Sequence, residues 1–476
     1  MAKKRNKTGN SALSIPNYIS SWRRRDSNAT DAKSRNIQEQ AQSDRARVIF
    51  SSSFRRLAHK TQVFALESAE VRNRMTHSLE VAHVGVYIVE MVFKLLGKTS
   101  EKGTPVEQWR VLDEDNQNAI SSFVETACLV HDIGNPPFGH FGEKAIRSWF
   151  DNKKSETWFK TATIVKQSSR DFLNFDGNMQ GFRILTRLQR NLNDPYGLNL
   201  TATQLASAIK YPIYNPKKPE KCGYFESEAA IKREIWDKLG LDDKTRHPCS
   251  LLMEAADDVA YCVSDLEDAA EKDLVSEEDM CRAFNKNEFS IDAGDITKAR
   301  TDFTNRIVKH IAEKFIDRLK RAEHCATTPL IDAYEDLDRQ KEVTREKVYS
   351  SRLVLANEVT GFAVIQGLLD QFSRLFQMKE RDFRMLADTY VNHQSFYGGA
   401  VNKVASKYTE ELGLLSLLSR KHLGVYFDAL NDSGNIFPEM FHRLHLVLDL
   451  ITGMTDQHAL NTYRLVSGQI LYGHRH

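Results

Sequence analysis

No stretch of the chain is continuously apolar for the roughly 18–20 residues that cross a bilayer, and no apolar run follows the basic start MAKKRNKTGN. Neither a membrane span nor a secretory leader is expected. Cysteine is sparse, and Cys128, Cys222, Cys249, Cys262, Cys281 and Cys325 never pair as CxxC, which removes a zinc knuckle and a redox dithiol. Scattered thiols of this kind fit a reducing cytoplasm. With 23 glycines and 11 prolines the chain is neither collagen-like nor broadly disordered. An excess of one charge is missing as well: 66 Lys and Arg against 64 Asp and Glu leave +2. Bulk charge therefore does not hold nucleic acid, although a local basic groove remains open. What is present is a 476-residue chain, 41% hydrophobic and 27% charged, which is a globular composition with room for one to three domains.

Residues 1–45 are polar and read as an extended N-terminal arm. Beyond it the apolar residues recur at helical spacing over 75–96, 119–133, 141–150, 182–192, 201–210, 250–271, 303–321 and 352–377. Residues 98–118 are polar and read as a loop, and 151–180 as an excursion. The proline-rich stretch 211–225, YPIYNPKKPEKCGYF, reads as a loop or flap. Alternating strand patterns and regular repeats are lacking, so the class is mainly α.

His77, His131, Asp132 and Asp257 stand out chemically. His77 opens a helix, His131 and Asp132 close another before Gly134 and the Pro136–Pro137 pair, and Asp257 lies inside a third. Imidazole with carboxylate suits Mn, Fe, Co, Ni or Zn, and carboxylates extend the set to Mg. Adjacent His and Asp reach one ion only at a loose helix end, because neighbours within a helix diverge by about 100°. His140 and Glu143 are three apart and share a face, as do Asp257, Tyr261 and Asp265 at steps of four.

The blocks SSSFRRLAHKTQVF, RNRMTHSLEVAHVG, HDIGNPPFGHFGE, FDGNMQGFR, YFESE and HPCSLLMEAADDVAYCVSDLEDA run from about residue 50 to 270. Together with the H…HD…D order of His77, His131, Asp132 and Asp257, they resemble the bacterial deoxyguanosine triphosphate triphosphohydrolases of the HD-domain phosphohydrolase superfamily. The resemblance implies an HD-domain helical fold with an additional helical C-terminal region. On that reading 1–45 is the arm, 46–290 the catalytic core, and 291–476 a helical region contributing to the substrate pocket and to oligomerisation.

The same resemblance implies one divalent metal per subunit (Mg2+, Mn2+ or Co2+) on His77, His131, Asp132 and Asp257. Asp257 is chosen over Asp258 because it lies four residues before Tyr261. His140, helped by Glu143, acts at the α-phosphate, as acid, base or nucleophile. The substrate's phosphates call for cations, and Arg55, Arg56, Lys60, Arg72, Arg74 and Lys210 are the candidates, Arg74 foremost as it lies three residues before His77. Tyr261 is expected beneath the sugar, with Asp265 and Gln62 on its 3′-hydroxyl, and Glu358 as a partner for guanine. The implied activity is hydrolysis of dGTP to deoxyguanosine and triphosphate. Broad dNTP hydrolysis, an HD-type phosphodiesterase and a single-stranded nucleic-acid-binding regulator are the alternatives. A cytoplasmic homohexamer and a single-stranded DNA effector are also implied. Lys217, Lys218 and Lys221 beside Tyr211 and Tyr214 give the DNA reading a local basis, as cations and stacking rings in one loop.

Overall fold

A computed structural model of the chain describes residues 18–470 apart from 28–30, 32–33, 65–70, 101, 103, 191–193, 220, 285–292, 322–327, 332–333 and 397. Residues 1–17 of the expected arm lie outside the described residues. The architecture is helical throughout, and among the described residues β-pairing is confined to isolated bridges such as Thr61 with Asn73. Ten helices suffice to place the site. They are α1 (Ile37–Ile49), α2 (Arg74–Leu96), α3 (Glu114–Val130), α4 (Gly139–Lys153) and α5 (Gly177–Arg183), followed by α6 (Pro248–Glu271), α7 (Ala293–Lys320), α8 (Arg352–Phe372), α9 (Glu439–Thr452) and α10 (Asp456–Val466).

Local signals set their ends. The Asn73 side chain accepts the N–H groups of Met75 and Thr76 and starts α2, whose buried residues His77, Val81, Gly85, Ile88 and Val92 follow one stripe. Asp113 caps α3 through the Asn116 N–H, and His247 with Pro248 starts α6.

Part of the expected arm is ordered helix. α1 packs on α3, and the segment before it is tied down by buried Arg23, which donates to Asp44 at 2.5 Å and to the Asn199 carbonyl at 2.7 Å. The polarity that marks 1–45 as an arm is here an internal ion pair. Within 98–118, Pro105 at the first position begins a short helix, Pro105–Arg110, carrying the buried Val106 and Trp109. The excursion 151–180 likewise holds the short helices Thr157–Ala162 and Arg170–Leu173 and the start of α5.

Two apolar clusters divide the molecule. The first joins α1, α2, α3, α6 and α7, through residues such as Val81, Phe123, Leu251 and Phe303. The second joins α4, α8, α9 and α10, through Ile146, Trp149, Phe372, Leu448 and Ala459. α5 contributes to both, with Phe182 in the first and Met179 in the second. This division does not fall near residue 290, because α4 packs with the C-terminal helices and α7 with the first cluster. Among the described residues one helical run, Arg352–Gln377, is long and apolar enough to cross a membrane. Its α8 portion packs against α4, α9 and α10.

Candidate active site

The site lies where the two clusters meet. From the first cluster, α2 supplies His77, the end of α3 supplies His131 and Asp132, and α6 supplies Asp257. Donor atoms of His77, His131 and Asp132 lie within 4.8 Å of one another. Asp257 Oδ1 lies 3.4 Å from His77 Nε2 and 3.2 Å from His131 Nε2. His131 Nδ1 donates to the Cys128 carbonyl at 2.7 Å, which leaves the Nε2 lone pair facing the carboxylates. Lone pairs and carboxylate oxygens at this spacing repel unless a cation or proton lies among them, so two imidazoles and two carboxylates fit a divalent metal. Asp258 makes none of these contacts, and burial followed by the neighbouring Asp257 pushes its carboxyl up to about 6.

Charge around the cluster is arranged to keep the carboxylates ionised. Burial alone would raise Asp257, but Lys210 and then His131 hold it well below the usual range, with Lys210 Nζ 2.6 Å from Asp257 Oδ2. Arg74 donates to Asp132 and overcomes burial there in the same sense. Burial would lower His131, and the carboxylates of Asp257 and Asp132 reverse this and raise it.

From the second cluster, α4 supplies His140 and Glu143. Glu143 is buried, and its two oxygens are divided: Oε1 accepts the Gly177 N–H at 2.7 Å, and Oε2 lies 2.9 Å from His140 Nδ1. An ionised carboxylate only accepts, so His140 carries its proton on Nδ1 and is free at Nε2. The His140 side chain is 80% exposed. The hydrogen bond and then the charge of Glu143 raise its pKa. Phe138 (φ 62°) and Gly139 (φ 56°) both take left-handed conformations just ahead of it. At Gly134 a Cβ would stand 2.1 Å from the Gly177 carbonyl oxygen, so the His131–Asp132 turn and the start of α5 cross with nothing between their backbones.

The other sequence candidates differ in what they engage. Arg74 and Lys210 are engaged with metal-site carboxylates. Lys60 is buried and donates to the carbonyls of Asn135 at 2.5 Å and Thr452 at 3.0 Å, and burial followed by Arg56 lowers its pKa to about 7. Arg56 reaches Ser52 Oγ at 3.5 Å, Arg55 the Phe50 carbonyl, and Arg72 the carboxylates of Glu80, Glu267 and Asp268. On the α6 ladder, the Tyr261 hydroxyl meets that of Tyr349, which donates to Asp265 Oδ2 at 2.5 Å. Burial raises Asp265 to about 7, and its Oδ1, like Gln62 Oε1, is buried without a partner. Glu358 is half-buried on α8. In the 211–225 loop a cation lies over each of two tyrosine rings: Arg170 3.8 Å over Tyr214, and the loop's own Lys221 5.1 Å over Tyr211.

Sequence reasoning missed Tyr349, in a π-helical turn (Arg345–Tyr349) before α8, and Asn135, whose Nδ2 donates to Asp132 Oδ1 at 2.7 Å. Asn135 stands inside the quoted HDIGNPPFGH block, which was its available signal. Tyr349 had none, since its partners lie 84 and 88 residues away.

Residues 74–196 match the HD domain family model, a span holding His77, His131, Asp132, His140 and Glu143. The chain is 31% identical to the deoxyguanosinetriphosphate triphosphohydrolase of Klebsiella pneumoniae, over 93% of this chain and 97% of that one. It is 31% identical to that of Serratia proteamaculans, over 90% and 94%, and 32% identical to that of Salmonella typhimurium, over 89% and 92%. A chain related at this level over nearly its full length, with the His and Asp cluster of an HD domain, belongs to the family of these bacterial deoxyguanosinetriphosphate triphosphohydrolases.

Proposed function

We propose that the chain hydrolyses dGTP to deoxyguanosine and inorganic triphosphate. The observation that carries this is the meeting of a metal-ligand cluster (His77, His131, Asp132, Asp257) with an exposed imidazole oriented by a buried carboxylate (His140, Glu143). The relatives' names supply the substrate. A divalent ion held by the four ligands supplies a Lewis acid for a phosphoryl oxygen. Glu143 keeps His140 in one tautomer, so that Nε2 is the proton-handling atom at the α-phosphate. Arg74 and Lys210 fix the ligand carboxylates, Arg56 adds positive charge, and Lys60 is retained as a phosphate candidate. Asp265 Oδ1 and Gln62 Oε1, both buried and without partners, support their assignment to a sugar hydroxyl over Tyr261. Glu358 is retained as the guanine contact.

Incubation of the purified chain with each of the four dNTPs and Mg2+ or Mn2+, with products resolved, tests this reading. Deoxyguanosine and intact triphosphate are the expected products. Equal turnover of all four dNTPs would replace it with broad dNTP hydrolysis, and pyrophosphate with a monophosphate would overturn it. The homohexamer and the single-stranded DNA effector belong to the same proposal. With a cation already over each tyrosine ring, the DNA contact rests on exposed Lys217, Lys218 and Lys221. Light scattering and anisotropy across a salt series read these out.

A further inference from the structure

The C-terminal helices α9 and α10 contribute no metal ligand and no proton-handling group, yet three of their residues reach three segments of the site. Asp449 accepts from Gln180 at 3.0 Å and from Arg183 at 2.8 Å, and so holds α5, whose first N–H holds Glu143. The Thr452 carbonyl takes Lys60, which also binds the carbonyl of Asn135. Asp456, at the start of α10, accepts the Thr61 N–H on Oδ2 at 2.7 Å and the Phe138 N–H on Oδ1 at 2.9 Å.

The last of these bears most directly on the chemistry. Phe138 and Gly139 form a left-handed pair immediately before His140, a conformation that a bulky residue such as Phe138 adopts only when its surroundings enforce it. The Phe138 N–H stands at the head of α4, where no helical carbonyl is available to it. The Asp456 carboxylate fills that role and ties the same turn to Thr61, beside Gln62.

We infer that Asp456 is a positioning residue, a two-oxygen clamp that fixes the Phe138 turn and thereby the place of His140 relative to the metal-ligand cluster. This rests on the reading of His140 as the proton-handling group. Asp456→Asn keeps one accepting oxygen and turns an NH2 toward the other backbone N–H, so one arm of the clamp is lost.

The experiment compares the full chain with Asp456→Asn and with Tyr426→Phe, which removes a buried 2.5 Å hydrogen bond to Glu439 remote from the site. For dGTP, kcat of Asp456→Asn should fall about tenfold to a hundredfold while KM stays within about threefold. Metal content per chain should be unchanged, and deuterium exchange should quicken over residues 136–143. Tyr426→Phe should lose comparable thermal stability and keep kcat. If Asp456→Asn fails to fold, Asp456→Glu, which displaces the carboxylate by one methylene, is read by the same split. A kcat within about twofold of the parent, or a loss matched in Tyr426→Phe, overturns the inference. If the parent hydrolyses no dNTP, the functional reading falls and exchange alone decides the clamp: unaltered protection over 136–143 overturns it, and selective loss there upholds it.

Discussion

Glu143 divides its carboxylate between a backbone N–H and an imidazole, so its effect on His140 is both steric and electrostatic. Removing its charge in Glu143→Gln should return the His140 pKa from its raised value toward the ordinary value of about 6.5. The direction follows from charge: the carboxylate favours the imidazolium, so without it the proton leaves at lower pH. Whichever protonation state turnover requires, the limb of the kcat/KM profile governed by His140 should move to lower pH, and kcat should fall by about tenfold or more. An unmoved limb would separate His140 from the titration. The resemblance singled out both residues in the sequence, and their spacing of three, which puts them on one face, agrees with the 2.9 Å contact between them. Asp257 was chosen over Asp258 because its step of four to Tyr261 matches the family that the sequence resembles, and the 3.2–3.4 Å approach to both imidazoles is what the structure adds.

Elements announced themselves where apolar residues recur, as in α2 and α6, and failed to do so where polar groups are buried. α1 buries Gln40 and Asp44 together with Ala41 and Val48, and Arg23 answers that polarity from outside the helix. A hydrophobic pattern is therefore absent from an ordered element. The start of α6 carries its own consequence. The His247 Nδ1 accepts the Cys249 N–H at 3.2 Å and Nε2 donates to the Tyr18 carbonyl at 2.9 Å, an arrangement only neutral imidazole can make. Burial lowers its pKa to about 4. Between that value and the unfolded value of about 6.5 the unfolded chain binds the extra proton, so folding stability falls as pH falls, by at most about 1.4 kcal/mol per pH unit. His247→Asn retains a capping oxygen without titrating. Its stability, measured by chemical denaturation between about pH 4.5 and about pH 6, should fall less steeply than the parent's by close to one proton. Parallel slopes would show that folding does not lower the His247 pKa.

At the scale of the molecule, the metal ligands are mounted on one apolar cluster and the His140–Glu143 pair on the other. That arrangement was hidden from the sequence, because α4 follows the HD turn directly but packs with helices more than 200 residues later. The same distance hides Asp456, whose partners Thr61 and Phe138 lie 395 and 318 residues away. Weakening the second cluster should separate the two functions. Phe372 is fully buried there, and Phe372→Ala should cost about 3–5 kcal/mol. In a denaturant series this variant should lose dGTP hydrolysis while still holding its metal, and the parent should lose both together or nearly so. Simultaneous loss in the variant would mean that the clusters unfold as one unit.

The clamp also has a place in time. A growing chain emerges in sequence order, at about 5–20 residues per second, so Asp456 follows Asp257 by roughly 10–40 s. Throughout that interval a nascent chain already carries all four metal ligands together with His140 and Glu143, while the carboxylate that fixes the Phe138 turn has yet to be made. A chain stalled in between would therefore carry the candidate ligands and the imidazole without the carboxylate of the proposed clamp.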